Sequence, residues 1–84
     1  MVTIYTSPTC AYCAMAKRLL AQKGVVADEI NIAADPQSMR DMMARSGRRT
    51  VPQIFIGERH IGGYDDMARL DQQGELDAAL AGGV

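Results

Sequence analysis

In "VTIYT", residues 2–6, β-branched and aromatic side chains recur with a period of two, which predicts a short strand. Ser7, Pro8 and Thr9 then punctuate the chain. From Ala11 to Lys23 the apolar positions Ala14, Met15, Leu19 and Leu20 recur at helical spacing. Lys17, Arg18 and Lys23 lie toward the end of that helix, where cations suit the macrodipole, and Gly24 is its stop. "VADEINI", residues 26–32, predicts a second strand with Ile30 and Ile32 on one face. Asp35 and Pro36 match an N-cap and first helical position, opening a helix that runs to about Ser46 and is closed by Gly47. "VPQIFIG", residues 51–57, is the most strand-like run, and "ERHI", residues 58–61, follows as its hairpin partner until Gly62 and Gly63. A final helix is expected from Tyr64–Asp66 to about Leu80, bent at Gly74, with "AGGV" as a loose tail.

The order βαβαββα predicts an α/β fold: a mixed four-stranded sheet flanked by three helices. The first crossover makes its strands parallel, and the closing hairpin adds antiparallel ones. At 84 residues the chain (1–84) reads as a single domain. The net charge is −1 and no basic run exceeds the pair Arg48–Arg49, which argues against nucleic acid or an anionic membrane as partner. No apolar run approaches the ~18–20 residues of a bilayer span. "MVTIYTSP" lacks the basic and long apolar regions of a secretory signal. The expectation is a soluble cytoplasmic domain, acting as a monomer.

The only cysteines, Cys10 and Cys13, stand two residues apart in "TCAYC". A metal clip needs four protein ligands, and the only other candidate ligand of the usual type is His60 on the predicted hairpin, so no metal site is expected. A structural staple closing so short a loop contributes about 2 kcal/mol before strain, and a cytoplasmic setting would reduce it. The position favours a reactive thiol. At the start of a helix, free N–H groups and the positive dipole end stabilise the thiolate, which is the nucleophile. Cys13, inside the first turn, can reach Cys10 while shielded by the helix. That asymmetry gives an attacking and a resolving thiol.

"TCAYC" after a strand, "RRTVPQIFIG" at 48–57 and "HIGGYDD" at 60–66 together resemble a glutaredoxin, over nearly the whole chain and in the expected order. The resemblance implies a thioredoxin-like fold and glutathione as co-substrate. It also implies that Pro52 is a cis-proline facing the cysteines, although residue statistics alone favour a trans bond. Val51 would then offer its backbone to an extended substrate, with Thr50 just before it. Gly63 would let the backbone approach the ligand. The backbone at Tyr64 and Asp65 would hold the γ-glutamyl carboxylate of glutathione, and a carboxylate of Asp65 or Asp66 would meet its ammonium group. Read without the resemblance, the same segment is a helix start with acidic first-turn residues. Tyr12 matches the aromatic residue between the family's cysteines and would pack along glutathione or a substrate peptide. Arg48 or Arg49 would raise the positive potential there, or simply be solvated.

The sequence departs from the family pattern at Ala11, where proline is usual, and at Ser7, where many relatives carry lysine. Met39 occupies the place of a usual Arg or Gln contact, with Arg40 one position off. Tyr64 replaces a common extra cysteine. The implied function is glutathione-dependent reduction of protein–glutathione mixed disulfides and protein disulfides through Cys10 and Cys13. The alternative, which the small Ala11 makes room for, is a carrier of a [2Fe–2S] cluster, held between two copies by Cys10 thiolates and two glutathiones. A thioredoxin-like reductant driven by a flavoprotein is a third reading, and it predicts turnover without glutathione.

Overall fold

A computed structural model describes residues 1–82. The chain forms β1 (Val2–Thr6), α1 (Ala11–Gln22), β2 (Asp28–Asn31), α2 (Pro36–Ser46), β3 (Gln53–Ile56), β4 (Arg59–Gly62), α3 (Tyr64–Gln72) and α4 (Leu76–Gly82). The four strands form one sheet in the order β2-β1-β3-β4. β1 runs parallel to β2, pairing Thr3 with Asp28 and Thr6 with Asn31. β3 is antiparallel to β1, with Ile4 opposite Ile54, and β4 is antiparallel to β3. The mixed four-stranded sheet is as expected.

Alternation along the central strands sends side chains to two separate cores. Val2, Ile4, Ile54 and Ile56 point to one face, where Ala16 and Leu20 of α1, Met67 of α3 and Leu76 of α4 cover them. Tyr5 and Phe55 point to the other face and meet Met42 of α2, with Ile30, Ile32 and Met39 packed around them. Arg45 closes this second core. Its guanidinium carbon lies 4.0 Å from the Phe55 ring centroid, and its Nη1 donates to the Tyr5 hydroxyl at 2.9 Å.

Four helices flank the sheet, not three. The predicted last helix divides at Gly74, which adopts φ +75°. There the N–H of Gly74 bonds the Asp71 carbonyl at 3.0 Å and that of Glu75 bonds the Leu70 carbonyl at 2.9 Å. These two bonds form a Schellman closure, which ends a helix instead of bending it. The same closure follows Lys23 at Gly24, where the sequence does read as a stop. Ala81 and Gly82 belong to α4 and not to a loose tail; Gly83 and Val84 lie outside the described residues. β2 is shorter than predicted, and Val26, 97% exposed, lies in the irregular segment before it. The buried face of α1 is Cys13, Ala16 and Leu20, whereas Ala14 and Met15 face outward. Lys23 does more than suit a dipole. Its Nζ meets Asp71 at 2.6 Å and Asp77 at 3.0 Å, tying the end of α1 to α3 and α4. Among the described residues no helix is long and apolar enough to cross a membrane.

Candidate active site

The strand-to-helix junction after β1 places Cys10 as the N-cap of α1, in extended backbone at φ −96° and ψ 109°. A cysteine here does what serine or aspartate commonly does, accepting an N–H of the first turn. The donor is the backbone of Cys13, 3.0 Å from Cys10 Sγ. Cys10 is half-buried, and its S–H donates to the Val51 carbonyl at 3.6 Å across the chain. Cys13 is 2% exposed on the core side of the helix. Burial, followed by its contact with the Cys10 side chain, pushes the Cys13 thiol up from its ordinary 9.0 to about 11. Both thiols are free. One is accessible and bonded by a backbone donor, the other buried and held as a thiol.

Val51 also joins the second wall of the site. The Val51–Pro52 peptide bond is cis. Pro52 is buried and Val51 half-buried, at the mouth of a groove of about 260 Å³. Thr50, Val51 and Pro52 line one side of this groove and Gly63, Tyr64, Asp65 and Asp66 the other. Tyr12, 58% exposed, closes one end, its ring 6.2 Å from that of Tyr64. The fold thus brings Tyr12, Arg48, Thr50, Val51, Pro52, Gly63, Tyr64, Asp65 and Asp66 around one groove, which Cys10 meets through the Val51 carbonyl.

At the start of α3 the two acidic residues have different roles. Asp66 Oδ2 accepts the Gly63 N–H at 2.9 Å and pairs with Arg48 Nη1 at 2.9 Å; its Oδ1 meets Arg69 at 3.4 Å. The Arg48 hydrogen bond, then the Gly63 N–H, hold the Asp66 carboxyl below the usual carboxylate range. Asp65 is exposed at the groove. Tyr64 and Asp65 are the first two residues of α3, so their N–H groups have no acceptor within the helix. A groove with free helix donors, an arginine and an exposed carboxylate suits a small zwitterion.

The remaining candidate residues are placed individually. Arg48 lines the groove, whereas Arg49 is not among its residues. Met39 packs against the Tyr5–Met42–Phe55 core. Arg40 is held by Gln37 on its own helix, at 2.9 Å. Ser7 contributes its carbonyl, which accepts the Cys10 N–H at 3.4 Å. Sequence reasoning passed over Gln53, a groove residue that is 1% exposed and hydrogen-bonded to Thr50 and His60. A lone polar side chain inside "VPQIFI" is the signal, because a buried amide needs partners.

A glutaredoxin family model matches residues 2–61. The glutaredoxin of Neisseria meningitidis serogroup B is 56% identical over 80 residues, spanning 94% of this chain and 94% of that protein. Glutaredoxin 3 of Escherichia coli K12 is 52% identical over 79 residues, spanning 94% and 95%. In three dimensions the chain resembles buckwheat glutaredoxin in complex with glutathione, with a TM-score of 0.90 at 28% identity, over 98% of this chain and 77% of that one. Sheet order, helix placement and motif spacing therefore agree with one thioredoxin-like fold. On the extent of these matches the chain belongs to the glutaredoxin family and is a thiol–disulfide oxidoreductase.

Proposed function

We propose that the chain, acting as one cytoplasmic domain and a monomer, is a glutathione-dependent oxidoreductase that reduces protein–glutathione mixed disulfides and protein disulfides. The observation that carries this reading is the placement of Cys10 Sγ. It accepts the Cys13 N–H and lies 3.6 Å from the Val51 carbonyl, whose residue edges the groove.

Cys10 thiolate attacks the glutathionyl sulfur, the mixed disulfide breaks, and the protein cysteine leaves as a thiolate that takes a proton from water. A second glutathione thiolate then attacks the glutathionyl sulfur on Cys10. Oxidised glutathione leaves, and the Cys10 thiolate returns. With a protein disulfide, Cys10 forms the mixed disulfide with one protein sulfur. Cys13 loses its proton and attacks Cys10, and the protein thiol departs. Two glutathiones reduce the resulting Cys10–Cys13 bond.

In this reading the N–H groups of Tyr64 and Asp65 hold the γ-glutamyl carboxylate, with Gly63 giving the backbone access. The exposed Asp65 carboxylate meets the ammonium group, because the Asp66 oxygens already serve Gly63, Arg48 and Arg69. Val51 pairs with the tripeptide backbone, flanked by Thr50 and Pro52. Tyr12 packs along it, and Arg48 adds positive potential. The test is a pair of variants. Cys13→Ser is expected to retain deglutathionylation and lose most protein-disulfide reduction, and Cys10→Ser to lose both. Substantial turnover by Cys10→Ser, or full turnover without glutathione, overturns the assignment.

A second reading, a [2Fe–2S] carrier, is supported by the exposed Ala11 beside the accessible Cys10, which leaves that thiol sterically open. Among the described residues no three His, Cys, Asp or Glu side chains converge as a metal site, so one chain would supply Cys10 alone. This reading requires a visible absorption band and a dimer on gel filtration after anaerobic reconstitution with glutathione. A colourless monomer excludes it.

A further inference from the structure

Gln53 is the polar residue inside the apolar run of β3, and its hydrogen bonds have a fixed direction. Its Nε2 lies 3.0 Å from the Thr50 carbonyl and 3.3 Å from Thr50 Oγ1, while its Oε1 lies 2.7 Å from His60 Nε2. A carbonyl only accepts, so the amide nitrogen must face Thr50. The amide oxygen also only accepts, so His60 must carry its proton on Nε2. The chain of donors therefore runs one way, from His60 through Gln53 to Thr50.

His60 is anchored independently of the groove. Its ring stacks on Phe55 at 4.9 Å and 30°, and it borders a separate surface groove with Arg59 and Arg69. Burial, then the charges of Arg48 and Arg45, disfavour its protonation, with Asp66 acting the other way. The imidazole thus tends to stay neutral, with Nδ1 bare. Nothing in the disulfide chemistry uses this histidine.

We infer that His60 and Gln53 are positioning residues for the thiol–disulfide reaction. His60 orients the Gln53 amide, and the amide holds Thr50 so that the next residue, Val51, presents its carbonyl to Cys10 and its edge to the groove. This rests on Cys10 being the attacking thiol and Val51 a backbone partner of the substrate.

Imidazole and amide ¹⁵N NMR of the reduced protein, together with kinetics on a glutathionylated peptide, test it. The expected tautomer carries hydrogen on Nε2. Gln53→Met and His60→Leu should shift the Val51 amide resonance and raise KM roughly fivefold, as losing one net hydrogen bond implies, with kcat little changed. His60→Gln, whose Nε2–H stands the same number of bonds from Cα, should restore both. An Nδ1–H tautomer overturns the inference, as does an unchanged KM. So does a loss that follows Tm and is not rescued by His60→Gln. Should Gln53→Met fail to fold, the half-buried His60 pair decides alone. Failure of the Cys10 assignment is separable: it appears as turnover in Cys10→Ser, whereas the tautomer and the Val51 resonance are read in the resting protein.

Discussion

The backbone N–H of Cys13 points at the Sγ of Cys10 from 3.0 Å, while the Cys13 side chain is sealed into the core side of α1. One residue thus supplies a donor to the nucleophile with its main chain and keeps its own thiol in reserve. The spacing makes this possible. An N-cap side chain accepts from the second or third helical residue, and in C-x-x-C the third is the second cysteine.

The first prediction concerns pH. Burial is the largest cause of the rise of the Cys13 thiol to about 11, and burial does not depend on Cys10 being a free thiol. The Cys13-dependent reduction of a protein disulfide is therefore expected to keep accelerating through the alkaline range. A pH–rate comparison of the wild type with Cys13→Ser checks this, since the variant's deglutathionylation should lack that alkaline limb. Stability moves the other way. The folded chain keeps the Cys13 proton between 9.0 and about 11 while the unfolded chain releases it. The contribution is therefore complete below pH 9.0 and falls away as pH rises toward 11. Tm of the wild type should drop more steeply across that window than Tm of Cys13→Ala.

A second prediction concerns Asp66, which caps the Gly63 N–H and pairs with Arg48. Asn at this position keeps an acceptor for Gly63 but loses the charge. Because Arg48 is about half exposed, the expected cost is only about 1 kcal/mol. The folded carboxyl titrates below its ordinary 3.8, so this contribution is present above that value and is lost as pH falls through the lower folded one. Urea midpoints of wild type and Asp66→Asn should differ at neutral pH and converge in acid.

Fold class and the clustering of the groove residues were legible because strong local signals coincide with tertiary ones. Asp35–Pro36 opens α2, Gly24 closes α1, and the central strands alternate between two cores. What escaped depends on partners distant in sequence. Gly74 reads as a bend until the Glu75 N–H is seen to bond the Leu70 carbonyl, which makes it a terminus. Ala14 and Met15 fit a helical apolar stripe as well as Cys13 and Ala16 do, and only the position of the sheet decides which pair faces inward. Asp65 and Asp66 are equivalent as letters. Arg48, brought in from eighteen residues away, separates their roles.

The third prediction tests the helix that carries the cysteines. Leu20, 1% exposed, packs in the larger core with Ile4 and Ile54. Leu20→Ala is expected to cost about 2–5 kcal/mol, enough to lower Tm by about eight degrees or more at roughly 4–8 °C per kcal/mol. The residue stands well beyond the first turn of α1. Turnover below the new melting point should therefore stay close to that of the wild type, as thermal melts paired with low-temperature assays would reveal.

The last prediction separates two constraints on glycine. Gly62 and Gly74 both have positive φ, 118° and 75°, where a side chain is strained. At Gly74 a Cβ would meet nothing within 4 Å, so Gly74→Ala should lose only the conformational term, about 1–2 kcal/mol. At Gly62 the same Cβ would stand 2.7 Å from Asp66 Cγ and 2.9 Å from its Cβ. The second of these atoms is fixed to the backbone of α3, so rotating the carboxylate away does not relieve the contact. Asp66 would have to leave Gly63 and Arg48 as the helix start shifted. Gly62→Ala should accordingly cost more, about 2–4 kcal/mol, and also weaken binding in the groove, because Tyr64 and Asp65 move with the helix. Chemical denaturation of both variants, with KM for a glutathionylated peptide, gives the comparison. Equal losses in the two would mean that backbone strain alone keeps glycine at Gly62.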